Sequence, residues 1–253
     1  MSKRNTQQRR HTIITLLNSQ GEVGVDELAK RFDTSEVTIR KDLAILENSG
    51  LLLRRYGGAV PLPKEITDNK DENLSQRKIM IAQKAAMLIK DHNRIIIDSG
   101  HTTSALVSAL NNKKGLVVMT NSLAIANKLQ TLENEPTLLM TGGTWDTHSE
   151  SFQGQVAENS LRSYDFDQLF IGADGIDLER GTTTFNELIG LSRVMAEVSR
   201  EVIVLVESDK FNRKIPNVEI PINQIHTVIT DDDLSIEKRK QLIDQGLNLI
   251  IVN

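Results

Sequence analysis

Two groups of residues in this chain have types and spacings suited to chemistry. The first is Ser35, Glu36, Thr38, Arg40 and Lys41, joined further on by Arg54, Arg55 and Tyr56. Arginine forks onto guanine edges, while lysine and hydroxyls hold phosphates, so this set suits the reading of a nucleic acid. The second is a series of short loops: Asp98-Ser99-Gly100-His101-Thr102-Thr103, Thr120-Asn121-Ser122, Gly142-Gly143 and Gly172-Ala173-Asp174-Gly175, with Glu187 and Lys210 beyond them. Backbone N–H groups and hydroxyls at a turn before a helix can seat a phosphate, and carboxylates accept from sugar hydroxyls. Lys210 can pair with a phosphate or with Glu187. Any one such loop is an ordinary turn with a helix cap; several of one kind point to a shared pocket. The five histidines, His101 and His148 among them, show no metal-ligand spacing, and zero cysteines exclude thiolate sites, so neither metal nor cofactor is expected. Trp145, after Gly142-Gly143, is placed either to stack on a ligand or to pack.

The first group needs a helical frame. Ile13, Ile14, Leu16 and Leu17 recur at helical spacing, and Gly21 can close that helix. Val25 to Phe32 predicts a second helix, with Leu28, Ala29 and Phe32 inward. Asp33-Thr34 makes the break, and Ser35 caps a third helix to about Asn48. Val37, Ile39, Leu43 and Leu46 are expected to pack inward, Val37 nearest the edge, which leaves the polar set outside. This is a helix-turn-helix over about Val23 to Asp42, whose second helix enters a major groove. Leu51 to Leu53 predict a strand, and Gly57-Gly58 turn it back as a wing carrying Arg54, Arg55 and Tyr56.

The second group needs a sheet. Apolar runs at 94–98, 115–120, 136–143, 168–175, 201–209 and 226–231, and a last one in NLIIV, predict strands buried on both faces. Helix-like segments such as TSALVSALNN, SLAIANKLQTL, NELIGLSRVMAEVSR and SIEKRKQLIDQG lie between them. This alternation predicts an α/β domain with a mainly parallel sheet, whose carboxyl-end loops bind ligands. Residues 61–77 include Pro61 and Pro63, many charges and little periodicity, which is connector composition. The expected organisation is a winged helix-turn-helix at 1–60, a linker at 61–77 and a sensor domain at 78–253.

Charge divides the same way. Residues 1–60 hold ten Lys/Arg against seven Asp/Glu, a net of +3; the remainder, twenty against twenty-seven, nets −7, which sums to −4. A basic head on an acidic body places the polyanion at the head. No apolar run follows the N-terminus and none approaches a membrane span, so a cytoplasmic protein with no membrane partner is expected.

The order T-I-R-K-D-L, then L-x-R-x-Y-G-G, followed by DSGHTT, MTNS, TGG, GADGID, FNE and SDKF, resembles the DeoR-type family of bacterial sugar-operon repressors along the whole chain. Within it, FDTSEVTIRKDL, SFQGQVAEN, TTFNE and KFNRKIPNV look most like the glucitol (sorbitol) operon repressors, and LLMTGG and GIDLERG are similar to the N-acetylgalactosamine ones. The resemblance implies a sensor domain like ribose-5-phosphate isomerase, a phosphorylated sugar or sugar-alcohol effector, double-stranded operator DNA, and a homo-oligomer, dimer or tetramer. Those isomerases carry a lysine in a glycine-rich segment where this chain has Arg180-Gly181-Thr182-Thr183-Thr184, which favours binding without turnover. The expected function is therefore transcriptional repression rather than catalysis. The rival is a sugar-phosphate isomerase with an appended helical domain, for which a wing carrying Arg54 and Arg55 has no use.

Overall fold

A computed structural model describes residues 3–48, 52–61, 75–147, 149–184, 186, 188–213, 215 and 217–253. The chain forms two compact units, Met1–Asn73 and Leu74–Asn253. Most of the connector expected at 61–77 lies outside the described residues, but Gln76 and Arg77 already belong to the first helix of the second unit.

In the first unit, α1 (Lys3–Gln20), α2 (Val25–Arg31) and α3 (Glu36–Asn48) accompany three short strands, β1 (Val23–Gly24), β2 (Leu53–Arg55) and β3 (Gly58–Val60), ordered β1-β3-β2. Ile13 and Leu17 of α1, Leu28 of α2, and Ile39, Leu43 and Leu46 of α3 bury together with Val23, Leu52 and Ala59. Gly21 ends α1, its N–H donating to the Leu17 carbonyl at 2.9 Å. Two expectations are corrected here. Val37 is 59% exposed rather than inward. The wing strand is Leu53–Arg55, so both arginines lie within it; Leu52, just before, is spent in the core.

The second unit is built on a seven-stranded parallel sheet. It opens with α4 (Gln76–Ala86), capped by Ser75, whose side chain accepts from the Lys78 N–H. Then come β4 (Arg94–Ile97), α5 (His101–Val107), β5 (Val117–Thr120), α6 (Leu123–Leu129) and β6 (Thr137–Met140). A hairpin, β7 (Thr144–Asp146) and β8 (Ser151–Gln153), leads into α7 (Gln155–Arg162) and β9 (Phe166–Ile171). The rest comprises β10 (Gly175–Asp177), β11 (Gly181–Thr184), α8 (Gly190–Glu197), β12 (Ser199–Leu205), a 3-10 turn over Ser208–Asn212, β13 (Asn217–Pro221), β14 (Thr227–Asp231), α9 (Ile236–Asp244) and β15 (Asn248–Val252).

The main sheet runs β15-β14-β12-β9-β4-β5-β6. Ile95 and Ile97 bury on one face with α4, α5 and α6, while Ile96 buries on the other with α7 and α8. That alternation, apolar on both sides, is why the strands read as continuous apolar runs. The expected helix at 186–200 is shorter because Ser199 already pairs with Phe166 as strand. A second sheet, β10-β11-β13, is antiparallel. Chain order reverses between β4 and β9: β5 and β6 add on one side, β12, β14 and β15 on the other. Crevices for ligands open at such a reversal, outside the carboxyl ends of the strands.

Candidate DNA interface and effector site

Ser35 accepts from the Thr38 N–H at 3.2 Å and shares a hydroxyl contact with Thr38 at 2.9 Å, so this pair starts α3 as a cap. Its exposed face carries Glu36, Val37, Arg40 and Lys41. Arg40 reaches Glu36 at 2.6 Å, with both side chains about half exposed. Water screens such a pair, which can exchange for a stronger acceptor at little cost. In the wing, Arg54 faces Glu47 at 3.7 Å, and Arg55 pairs with Glu22. Tyr56 stands fully exposed at the turn. Two head arginines are not available to a partner: Arg9 and Arg10 place their Nε atoms 2.6 and 2.7 Å from the Asp42 carboxylate, which is buried. Arg9 and Arg10 therefore add nothing to the outward basic face of the head, where Arg40, Lys41, Arg54 and Arg55 stand exposed on α3 and the wing, and Lys30 and Arg31 at the end of α2.

In the second unit the loops that follow parallel strands share one edge. Asn121 staples two of them, donating from Nδ2 to Asp98 at 2.8 Å and accepting the Ser99 N–H at 3.0 Å. Thr120, Asn121 and Ser122 are buried, the Ser122 side chain capping α6. Their work is scaffolding. Thr103 is likewise buried, its hydroxyl donating to the Gly100 carbonyl at 3.0 Å, while Thr102 is nearly buried and His101 exposed. Lys210 donates from Nζ to the Ala173 carbonyl at 2.8 Å. Asp174 accepts from the Thr184 hydroxyl at 2.7 Å, and Arg213 donates to the Asp174 carbonyl at 3.1 Å. Hydrogen bonds thus join the β4 loop to the β5 loop and the β9 loop to the turn after β12, and β4 and β9 are neighbours at the reversal point.

Two of the glycines have packing reasons. A Cβ on Gly143, which has φ +115°, would lie 2.5 Å from the Gln153 carbonyl oxygen, so this residue closes the β7–β8 hairpin. One on Gly175 would lie 2.8 Å from the Thr183 hydroxyl, within the β10–β11 pairing. Gly142 has open space around it. Trp145 packs edge-on against Phe152, ring centres 5.4 Å apart, and keeps a partly exposed edge. Glu187 and His148 lie outside the described residues.

Electrostatics mark the same place. Burial pushes the Asp98 carboxyl up to about 6, against the pull of Asn121. Burial lowers the Lys210 ammonium, and Asp174 and Glu207 work against that. Burial, then the Lys78 charge, lowers His101. Glu219, on β13, accepts from the Ser192 hydroxyl at 2.7 Å and is pushed up to about 8, by burial first and then by Asp98 and Asp174. Perturbed groups gathered at strand ends make these loops the candidate ligand site. Two concavities are present, one of about 460 Å³ beside Arg94, Tyr164 and Arg200, and one of about 740 Å³ beside Phe211 and Lys238 that shares Arg213 with the loop cluster. The first is at the opposite, amino-terminal edge of the sheet, where Arg200 faces Asp167 at 3.7 Å, Arg162 faces Glu158 at 3.4 Å, and Arg94 donates to the Asp165 carbonyl at 3.0 Å. No cluster of His, Asp or Glu able to hold a metal occurs among the described residues.

Residues 9–64 match the DeoR-like helix-turn-helix domain, and residues 73–232 match the DeoR C-terminal sensor domain. A relative from Escherichia coli O157:H7, named for transcriptional repression of the aga operon, is 39% identical over 98% of this chain and 94% of its own. The chain belongs to the DeoR family of DNA-binding transcriptional repressors. The regulator IolR of Bacillus subtilis is 30% identical over 87% of this chain and 88% of its own. Among solved structures, ribose-5-phosphate isomerase A from Methanocaldococcus jannaschii is similar with a TM-score of 0.40, at 19% identity over 54% of each chain.

In this DeoR-family chain, sequence reasoning missed Lys78, Glu207, Arg213 and Glu219 around the loop cluster, and the Arg9–Asp42–Arg10 clamp in the head. Lys78 sits among polar connector residues, and Glu219 reaches the loops through the β11–β13 pairing. Neither leaves a local pattern. The exposed Val37 did have a signal: it was the least inward of the apolar positions on α3. No helix among the described residues is long and apolar enough to cross a membrane.

Proposed function

We propose that this protein represses a sugar or sugar-alcohol catabolic operon and leaves its operator when a phosphorylated sugar binds the second unit. The observation that carries the reading is the placement of Asp98, Asp174 and Lys210 in the loops that follow β4, β9 and β12 at the reversal of strand order, beside the Ser99-Gly100-His101 turn that opens α5. The turn and Lys210 suit an anion, and Asp98 and Asp174 suit hydroxyls. Operator recognition rests on Arg40, Lys41 and Val37 of α3, with Arg54, Arg55 and Tyr56 of the wing on the backbone. An apolar Val37 on that face suits a thymine methyl.

The repressor is a cytoplasmic homo-oligomer, dimer or tetramer. Several heads on one palindromic site raise affinity without new base contacts. Effector and operator then weaken each other by one common factor. The glucitol-like segments favour glucitol 6-phosphate, and the relative named for the aga operon, together with LLMTGG and GIDLERG, supports an amino-sugar phosphate. The test is electrophoretic retardation of the DNA upstream of its own operon, with each phosphosugar and its unphosphorylated form. Retardation relieved by a phosphosugar alone is the expected result. Relief by the free sugar sinks the phosphate reading, and absence of retardation sinks the operator reading.

A further inference from the structure

The chain enters the second unit at Ser75 and Lys78, and both attach to one carboxylate. The Ser75 hydroxyl donates to Glu207 Oε1 at 2.8 Å, and Lys78 Nζ lies 3.7 Å from Glu207 Oε2. Ser75 also caps α4 by accepting the Lys78 N–H at 3.3 Å. Glu207 follows β12 at the carboxyl edge of the sheet and is nearly buried, and its backbone carbonyl accepts from the Lys210 N–H at 3.1 Å. Next to it, Arg77 reaches Asp231 at 3.7 Å, and Asp231 holds the Ser208 hydroxyl at 2.6 Å. The start of α4 is therefore fastened to the turn that carries Lys210.

Lys78 is not an ordinary surface lysine. Its side chain is 19% exposed, and α4 packs along α5, whose first residue is His101. After burial, the Lys78 charge is the next cause lowering His101, and it also helps to lower Lys210. Lys78 thus pairs with Glu207, whose own backbone carbonyl holds the Lys210 turn, and lies within electrostatic reach of His101. Its partner Glu207 is a carboxylate that an incoming anion can replace.

We propose that Lys78 binds the anionic group of the effector together with Lys210, exchanging Glu207 for the ligand. This rests on the phosphosugar reading above and adds to it a residue supplied by the helix that continues from the connector. The exchange leaves Glu207 held by Ser75 alone and alters the fastening of α4 at its first turn. Effector occupancy thus reaches Ser75 and the first turn of α4, without any rearrangement of the sheet. Coupling of this kind needs only that the two partners of Lys78 exclude each other.

The test uses the full chain and calorimetric titration with glucitol 6-phosphate and galactosamine 6-phosphate. Lys78→Met, which keeps the stem and removes the charge, is expected to weaken binding about tenfold or more, the scale of a charge-assisted hydrogen bond. Lys78→Arg, expected to restore most of it, guards against a packing effect, and the melting temperature without ligand reports folding. Glu207→Gln still accepts from Ser75 and no longer competes as an anion, so it is expected to tighten binding. That gain should vanish in the Lys78→Met background, because the two residues act on each other. Unchanged affinity in a folded Lys78→Met, or a Glu207→Gln gain that persists without Lys78, overturns the proposal while leaving the phosphosugar reading intact. A wild-type protein that binds neither phosphosugar overturns both.

Discussion

Arg9 and Asp42 are joined by a 2.6 Å ion pair that ties the first helix of the head to the helix that faces DNA, and both side chains are buried. Arg10 joins them at 2.7 Å, so one carboxylate holds two guanidinium groups. Asp42 follows Lys41 directly, and the clamp sets the roll of α3 that turns Arg40 and Lys41 outward. Leaving the buried Arg9 and the partly buried Arg10 without their anion is costly, on the order of 3–5 kcal/mol for a broken buried pair. Asp42→Asn is therefore expected to lower the unfolding temperature of the head and abolish operator binding. The measurement is thermal unfolding of the full chain beside gel retardation. An unchanged melting profile with normal binding would show that the clamp does not hold the helix.

Arg40 differs from Arg9 in every respect that matters. Its only named partner is Glu36, one turn away on an exposed surface, so truncating it leaves the fold alone. Arg40→Ala is expected to melt like wild type and to lose about 1–3 kcal/mol of operator affinity, the scale of a good base contact. Tight binding by this variant at matched salt would return Arg40 to the solvated surface.

The wing arginines are expected to act on DNA of any sequence. Each phosphate contact contributes about one unit to the slope of log affinity against log salt. Replacing Arg54 and Arg55 by Ala should weaken operator and random DNA alike and flatten that slope by about two. Lost sequence preference with an unchanged slope would instead put them on base edges.

These assignments show how far sequence reaches here. The helices of the head and the strands of the main sheet were legible because apolar residues recur at their periods, as in Ile13 and Leu17 or Ile95 to Ile97. The small sheet was not, because Gly181–Thr184 carries threonines where an apolar alternation would be expected, and Asn217–Pro221, though Val218 and Ile220 alternate, is short and bounded by Pro221. Glu219 went unseen for that reason. The loops of the candidate site were legible as a set, since hydroxyls and glycine cluster at strand ends. Their division of labour was not: Asn121 and Thr103 look like ligand groups in sequence, and their hydrogen bonds are spent on the loops themselves. Gly143 and Gly175 were equally ambiguous, because close backbone packing and ligand approach both call for glycine.

Glu219 makes stability depend on pH in a definite direction. Its carboxyl is pushed up to about 8 in the folded chain, well above the unfolded value. Between those values the folded state holds a proton that the unfolded state has released, so the contribution of Glu219 to stability is full at low pH and is lost as pH rises toward about 8. Asp98, pushed up to about 6, acts the same way over a lower window, so of these two carboxyls Glu219 is the one that titrates between about 6 and 8. Glu219→Gln mimics the protonated form. Its melting temperature should decline less than that of wild type across that span, and it should be the more stable protein at pH 8. Parallel melting curves for the two proteins would remove Glu219 from this role.

Lys210 gives the sharpest test of the effector site. Its ammonium is held by the Ala173 carbonyl at 2.8 Å, after the strand that borders the reversal point, and burial already lowers its hold on its proton. A phosphate arriving there supplies the countercharge that burial withholds, so ligand and lysine stabilise each other. Lys210→Ala is expected to fold and to bind operator, and to need at least about tenfold more phosphosugar for release, the scale of one lost charge-assisted hydrogen bond. In a cell that variant keeps its operon silent whether or not the sugar is present. The free sugar should release neither protein, because it brings no anion. Operator release is measured against ligand concentration for both proteins, at one salt concentration, since DNA affinity itself varies with salt. Superimposable release curves would take Lys210 out of the pocket. A shifted curve for Lys210→Ala beside an unshifted one for Arg54→Ala would separate the lysine that senses the ligand from an arginine that only holds DNA.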